Sequence, residues 1–154
     1  MRRIPTMRCF FRREGGSALV EMALIVPILM VPILGAVDFG RGFYLGQELA
    51  SAAHAGAAYG AQNPTDTAGM KAAALAAAPD LTGISIATPT YGCECANGSS
   101  FNANCSSTPT CTGSNAVYLV SVTATVSYTP LIKWPGIPSP ISISTTAKMR
   151  SAKS

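Results

Sequence analysis

Charge is scarce in this 154-residue chain. Asp, Glu, Lys and Arg make up 12% of it against 48% hydrophobic residues, an unusual balance for a soluble domain of this size. Histidine occurs once, as His54, in an Ala-rich stretch with no evident Ser or Cys nucleophile beside it, and it reads as structural. Paired carboxylates, a phosphate-binding glycine loop, a nucleophile elbow and a redox C-x-x-C are all missing. With no such constellation the expectation is no enzyme, no cofactor and no metal site. The net charge of +4 does not restore a nucleic-acid reading, because it is confined to one end. Arg2, Arg3, Arg8, Arg12 and Arg13 stand against Glu14 in the first 16 residues, and the rest of the chain balances six basic with six acidic residues. No basic face interleaved with aromatics is left for nucleic acid.

What the chain does have is a long apolar run. Residues 17–37, SALVEMALIVPILMVPILGAV, carry one charge in 21 positions. As a helix rising 1.5 Å per residue they span roughly 31 Å, close to the hydrocarbon thickness of a bilayer. Arginines precede the run, and Asp38 and Arg41 follow it, so the positive-inside rule puts the N-terminus in the cytoplasm and the C-terminal part outside. A removable secretory signal has an apolar core of about 7–15 residues. Leu34-Gly35-Ala36 offers such a cleavage site, but the run is longer than that and contains Glu21. Pro27 and Pro32 remove backbone donors inside the helix, beside the carbonyls of Ala23 and Ile28. They are either simply tolerated, as in many membrane helices, or they let the helix adjust its packing in an assembly.

Glu21 is the anomaly in the run. A carboxylate within a bilayer costs on the order of 3 kcal/mol by insertion scales, lessened near the end of a helix. The order around it is an Arg-rich leader, Gly16, the small Ser17, then Glu21 as the fifth residue after the glycine. This resembles the cleavage site of type IV prepilins. The resemblance implies cutting between Gly16 and Ser17 by a membrane aspartyl peptidase, with Glu21 pairing with the freed N-terminal amine of a neighbouring subunit. The resemblance sharpens over residues 12–61. The Arg12-Arg13 leader, Gly16, Val20-Glu21-Met22-Ala23-Leu24, Pro27, the Val37-Asp38-Phe39-Gly40-Arg41 block and the Ala/Gly-rich continuation are similar to the TadE-like proteins of the Tad (tight adherence, Flp-type) pilus system. Relatives mostly carry an apolar residue such as Phe where Met22 stands, and an arginine where Ala58 stands. The tail Thr146-Ala147-Lys148-Met149-Arg150 is also family-like.

Beyond the membrane run, residues 43–61 keep helical composition. Phe43, Leu45, Leu49, Ala52, Ala53, Gly56 and Tyr59 fall on one face, with small residues that permit close approach. Asn63-Pro64 ends that helix. MKAAALAAA, ended by Pro79, predicts a short second helix with good propensity but little core, and so loosely held. Ile84 and Ile86 suggest a strand, residues 117–128 alternate apolar with Ser/Thr, and Ile141 and Ile143 begin a last strand after the proline-rich TPLIKWPGIPSP. The expected fold is α+β and pilin-like: a long N-terminal transmembrane helix continuing into a helix packed on a small antiparallel sheet of two or three strands. The expected divisions are a leader at 1–16, the transmembrane helix at 17–38 and an extracytoplasmic domain at 39–154 with a Cys-containing loop at 92–114.

Five cysteines fall in two places. Cys9 lies in the leader. Cys93, Cys95, Cys105 and Cys111 lie in the Gly/Ser/Asn/Thr-rich loop, facing an oxidising space. Their gaps of one, nine and five residues do not match the C-x2-4-C pairs of zinc sites, so two disulfides are expected. A bridge between Cys93 and Cys95 is geometrically unfavourable. Each of them should pair with Cys105 or Cys111, which leaves two connectivities open. Trp134, between Lys133 and Pro135, is placed to anchor the proline-rich turn, or to touch carbohydrate or membrane. Asp38 and Arg41, spaced i,i+3, read either as a solvated boundary pair or as an assembly contact.

The sequence as a whole reads as a non-enzymatic minor pilin or pseudopilin, cut after Gly16, that takes part in Tad pilus assembly for adhesion or secretion. Its processing residues are Gly16, Ser17 and Glu21, and its assembly residues Glu21, Pro27, Asp38 and Arg41. Its partners would be the prepilin peptidase, other Tad pilus subunits and assembly proteins, and the bacterial inner membrane, crossed once, with the domain periplasmic or extracellular and the subunit either membrane-held or in the pilus. The competing reading is a secreted, disulfide-stapled binding protein released by signal peptidase near Ala36.

Overall fold

The computed structural model describes residues 15–103, 105, 109–133 and 135–151. Its elements run α1 (Gly15–Gln62), α2 (Thr67–Ala76), β1 (Ser85–Ile86), β2 (Thr90–Cys95), β3 (Asn102–Ala103), β4 (Ala116–Tyr128) and β5 (Ile141–Arg150). This is the expected α+β architecture of a long apolar helix leading into a domain with a small antiparallel sheet. The chain divides into two compact units, with the boundary between Val37 and Asp38.

In the first unit the described residues are helical throughout, and α1 passes Pro27 and Pro32 without interruption. Nearly every side chain here is exposed, from Leu19 and Val20 to Ile33, Leu34 and Val37.

In the second unit α1 changes character. Leu49, Ala52, Ala53 and Ala57 are fully buried, one face of the helix at three- and four-residue spacing. They share a core with Val120, Val122, Ala124 and Val126 of β4, Ala147 of β5 and Met70 of α2. Phe43, which the spacing places on this face, is instead exposed. The small residues of α1 are needed where α2 and β4 converge on it. A Cβ at Gly60 would fall 2.7 Å from Val120 Cγ1 and 2.8 Å from Met70 Sδ, and one at Gly56 would lie 3.0 Å from the Met70 carbonyl oxygen.

The turn between the helices is fastened at Asp66. One carboxylate oxygen accepts from the Gly69 amide (2.8 Å), capping α2, and the other accepts from the Tyr59 hydroxyl near the end of α1 (2.8 Å). These bonds favour the ionised acid. The Gly69 amide, and after it the Tyr59 hydroxyl, hold the Asp66 carboxyl below its ordinary range, while the tyrosine is raised by the same contact. The expectation that α2 is loosely held is corrected: Met70 and Ala74 are fully buried, so one long side chain supplies the core that the alanines lack.

β4 is the centre of the sheet. β5 runs antiparallel along one edge from Leu119↔Arg150 to Tyr128↔Ile141, and β2 and β1 follow one another along the other, with β3 outside β2. The alternation of β4 is realised: Val120, Val122, Ala124, Val126 and Tyr128 are buried. On the opposite face Thr123 bonds Thr146 across the strands at 2.8 Å, and Thr125 bonds Ser144 at 3.3 Å. β5 extends to Arg150, well past the two isoleucines that signal it. The stretch read as a loop at 92–114 contains β3 and most of β2. β2 carries a short alternation, Tyr91, Cys93 and Cys95 against Thr90, Gly92 and Glu94, and pairs with β4 over six residue pairs, whereas NA of β3 is too short to show a pattern.

Candidate membrane helix, its boundary and the disulfide loop

The residues singled out for processing and assembly separate into two groups. Gly16, Ser17, Glu21 and Pro27 lie on the exposed first part of α1, and a Cβ at Gly16 would meet nothing within 4 Å. Ser17 and Glu21, four residues apart, are one turn from each other on the same side of the helix, about 6 Å along its axis. The most apolar stretch of α1 is long enough to cross a bilayer and has none of its residues buried. A core helix of a soluble protein has comparable hydropathy but hides it; this one presents it, which is what a lipid or protein-assembly environment requires.

Asp38 and Arg41 lie at the start of the domain and are not equivalent. Asp38 is 5% exposed, so it is not the solvated boundary group that one reading of the spacing suggests. Its Oδ1 accepts from the Leu131 amide at 2.9 Å, and its Oδ2 from the Ile132 amide at 3.3 Å. The Tyr128 hydroxyl donates to the Asp38 backbone carbonyl at 2.8 Å and reaches Oδ1 at 3.3 Å. Arg41 lies over the Tyr128 ring, its guanidinium carbon 5.8 Å from the ring centre. Burial, followed by the Asp38 carboxylate, raises the tyrosine above its ordinary value. The arrangement ties the proline-rich connection 129–140 to α1. Sequence reasoning placed Asp38 and Arg41 at the boundary but not Tyr128, Leu131 or Ile132, which lie 90 or more residues away and carry no local signal.

The cysteines of the loop form two bridges, Cys93–Cys105 and Cys95–Cys111, with Cα separations of 5.2 and 5.5 Å. Cys93 and Cys95 share a face of β2 and are buried, beside Tyr91, which stacks on Tyr118 of β4 at 6.1 Å. The bridges close loops of 12 and 16 residues around β3 and so fasten a segment poor in apolar residues to the sheet. On the other face the Phe101 ring covers Gly92 so closely that any side chain at 92 would collide with it. His54 is exposed on α1. Cys9 and Trp134 lie outside the described residues. Among the described residues no group of three His, Cys, Asp or Glu side chains is arranged to hold a metal ion.

These features define a class: a protein with one exposed, membrane-length helix leading into a small disulfide-bonded α+β domain. Residues 16–58 match the family model of the TadE-like proteins, in agreement with the resemblance read from the sequence. The match covers the apolar run, Asp38, Arg41 and most of the buried face of α1, and stops before α2, the sheet and the cysteines. Comparison with curated proteins and with solved structures returned no match. The single apolar helix fits a membrane-anchored, single-pass protein.

Proposed function

We propose that this protein is a minor pilin or pseudopilin of a Tad-type pilus, held in the bacterial inner membrane by residues 17–38 with its N-terminus cytoplasmic and residues 39–154 outside. A leader, residues 1–16, is removed by the prepilin peptidase between Gly16 and Ser17. Glu21 then sits one turn inside the mature helix, and its carboxylate pairs with the freed amine of a neighbouring subunit, which offsets the cost of desolvating it. Pro27 and Arg41 belong to the surface that meets other pilus subunits and assembly proteins, and Asp38 fixes the point at which the helix enters the domain. The subunit does no chemistry of its own; it supplies a helix for assembly, and a domain surface for the adhesion or secretion that the pilus carries out.

The observation that carries this reading is the wholly exposed apolar helix with a single carboxylate one turn from Ser17, within a TadE-like match. The test is N-terminal sequencing of the protein from cells with and without prepilin peptidase. A peptidase-dependent start at Ser17 is expected. A start near Val37 would make this a secreted domain released by signal peptidase, and an uncut chain in both strains would leave an ordinary signal anchor. If a Glu21→Ala variant is processed and assembles like wild type, the pairing role is wrong.

A further inference from the structure

The proline-rich connection between β4 and β5 carries large apolar side chains that the domain does not bury. Leu131 is 63% exposed, and Ile137 is exposed as well, beyond a turn at Pro135-Gly136 where Gly136 takes a positive φ of 85°. Lys133 between them is also exposed. The connection is held by the Asp38 carboxylate, which takes the amides of Leu131 and Ile132, and by Tyr128 at its base.

The position of that anchor matters. Asp38 is the first residue after the apolar run 17–37, so chain continuity puts it where a membrane-spanning helix leaves the hydrocarbon. Phe39, beside it on α1, is 77% exposed. We infer that Leu131 and Ile137, with Phe39, insert into the outer leaflet of the same bilayer that holds the helix, making the 129–140 connection a second membrane contact. The chemistry of the segment suits an interface. Four of its twelve residues are proline and have no amide hydrogen to desolvate, the two amides nearest the anchor are satisfied by Asp38, and the Lys133 ammonium can reach lipid phosphates. The contact fixes how deep the domain sits and resists its withdrawal when the helix is extracted. This rests on residues 17–37 spanning a membrane.

The test uses the full chain with Trp134→Phe and one new tryptophan at a time: Val26→Trp, Leu131→Trp, Ile137→Trp or Gln62→Trp. Each protein is reconstituted in phosphatidylethanolamine/phosphatidylglycerol vesicles containing lipids brominated near the headgroup end of the chains or near their tips. Val26→Trp reports on the span, and Gln62→Trp, about 36 Å along α1 from Asp38, is the remote control. The inference expects Leu131→Trp and Ile137→Trp to lose most of their emission to the shallow bromines, little to the deep ones, with Gln62→Trp unaffected. Quenching of Leu131→Trp no greater than that of Gln62→Trp, while Val26→Trp is quenched, overturns the second contact and leaves the span intact. Blue-shifted emission at Leu131→Trp without bromine quenching also overturns it and assigns the segment to another subunit. If Val26→Trp is not quenched, the span itself fails and the inference falls with it.

Discussion

The two halves of α1 are one continuous helix with opposite packing logic. Before Asp38 the side chains are large and apolar, and all of the most apolar stretch is exposed. After it the face that matters is built from Ala and Gly with Leu49, and that face is buried completely. Burial within the protein therefore does not follow hydropathy along this helix. It follows the availability of a sheet and a second helix, whose closest approach, at Gly56 and Gly60, needs residues without a side chain. The large residues of the first half are left for a different apolar environment.

The sharpest way to break the comparison is to make the same change in both halves. Leu49→Ala should destabilise the domain by about 2–5 kcal/mol, since it empties a fully buried site, whereas Leu24→Ala should leave domain stability unchanged. Denaturant unfolding of both variants measures this, and equal effects would mean that the apolar run is part of the folded core. Next in size is the disulfide loop. Replacing Cys95 and Cys111 together by Ser should cost about 2–4 kcal/mol and release β3 first, seen as early amide exchange at Asn102 and Ala103.

Gly60→Ala should cost about 1–3 kcal/mol, because the added methyl would overlap Val120 and Met70, while Gly16→Ala should be silent for domain stability. A thermal shift in both or in neither would equate the halves. The smallest effect is electrostatic. Asp66 has a lowered carboxyl pKa in the folded domain, so the stability it contributes is complete above the ordinary carboxylate value near ~3.9 and disappears as pH falls through the lower folded value. Asp66→Asn should therefore flatten the loss of melting temperature on acidification in that window, and an unchanged acid limb would show that the Gly69 and Tyr59 bonds do not favour the anion.

Much of the helical half of the molecule is legible from residue order. The length of the apolar run, Asn63-Pro64 as the stop of α1, the propensity of MKAAALAAA and the alternation of residues 117–128 are local properties, and the structure reproduces each of them. The errors share one cause. α2 reads as loosely held because its anchor, Met70, acquires a partner only when Gly60 and Val120 come together. β2 and β3 read as loop because the segment is rich in Gly, Ser, Asn and Thr and the Tyr91-Cys93-Cys95 alternation is short, and pairing with β4 over six residue pairs makes β2 a strand. Phe43 reads as core because spacing gives a face but not where the packing on it begins.

The candidate site divides in the same way. The apolar run with its two prolines is evident from composition, because membrane length depends on a short, contiguous stretch of chain, and Gly16, Ser17 and Glu21 are singled out by their resemblance to a prepilin site, which is equally local. Whether Cys93 joins Cys105 or Cys111, whether Asp38 faces water or the interior, and where the Leu131 and Ile132 amides find an acceptor are not local questions. They depend on backbones as much as 94 residues apart being brought within hydrogen-bonding distance, and the sheet register that achieves this is a property of all its strands at once. Linear order therefore settled the membrane-length helix and the TadE-like match over residues 16–58, whereas packing in three dimensions decided the disulfide pairing, the burial of Asp38 and the capture of the proline-rich connection at the end of the apolar run.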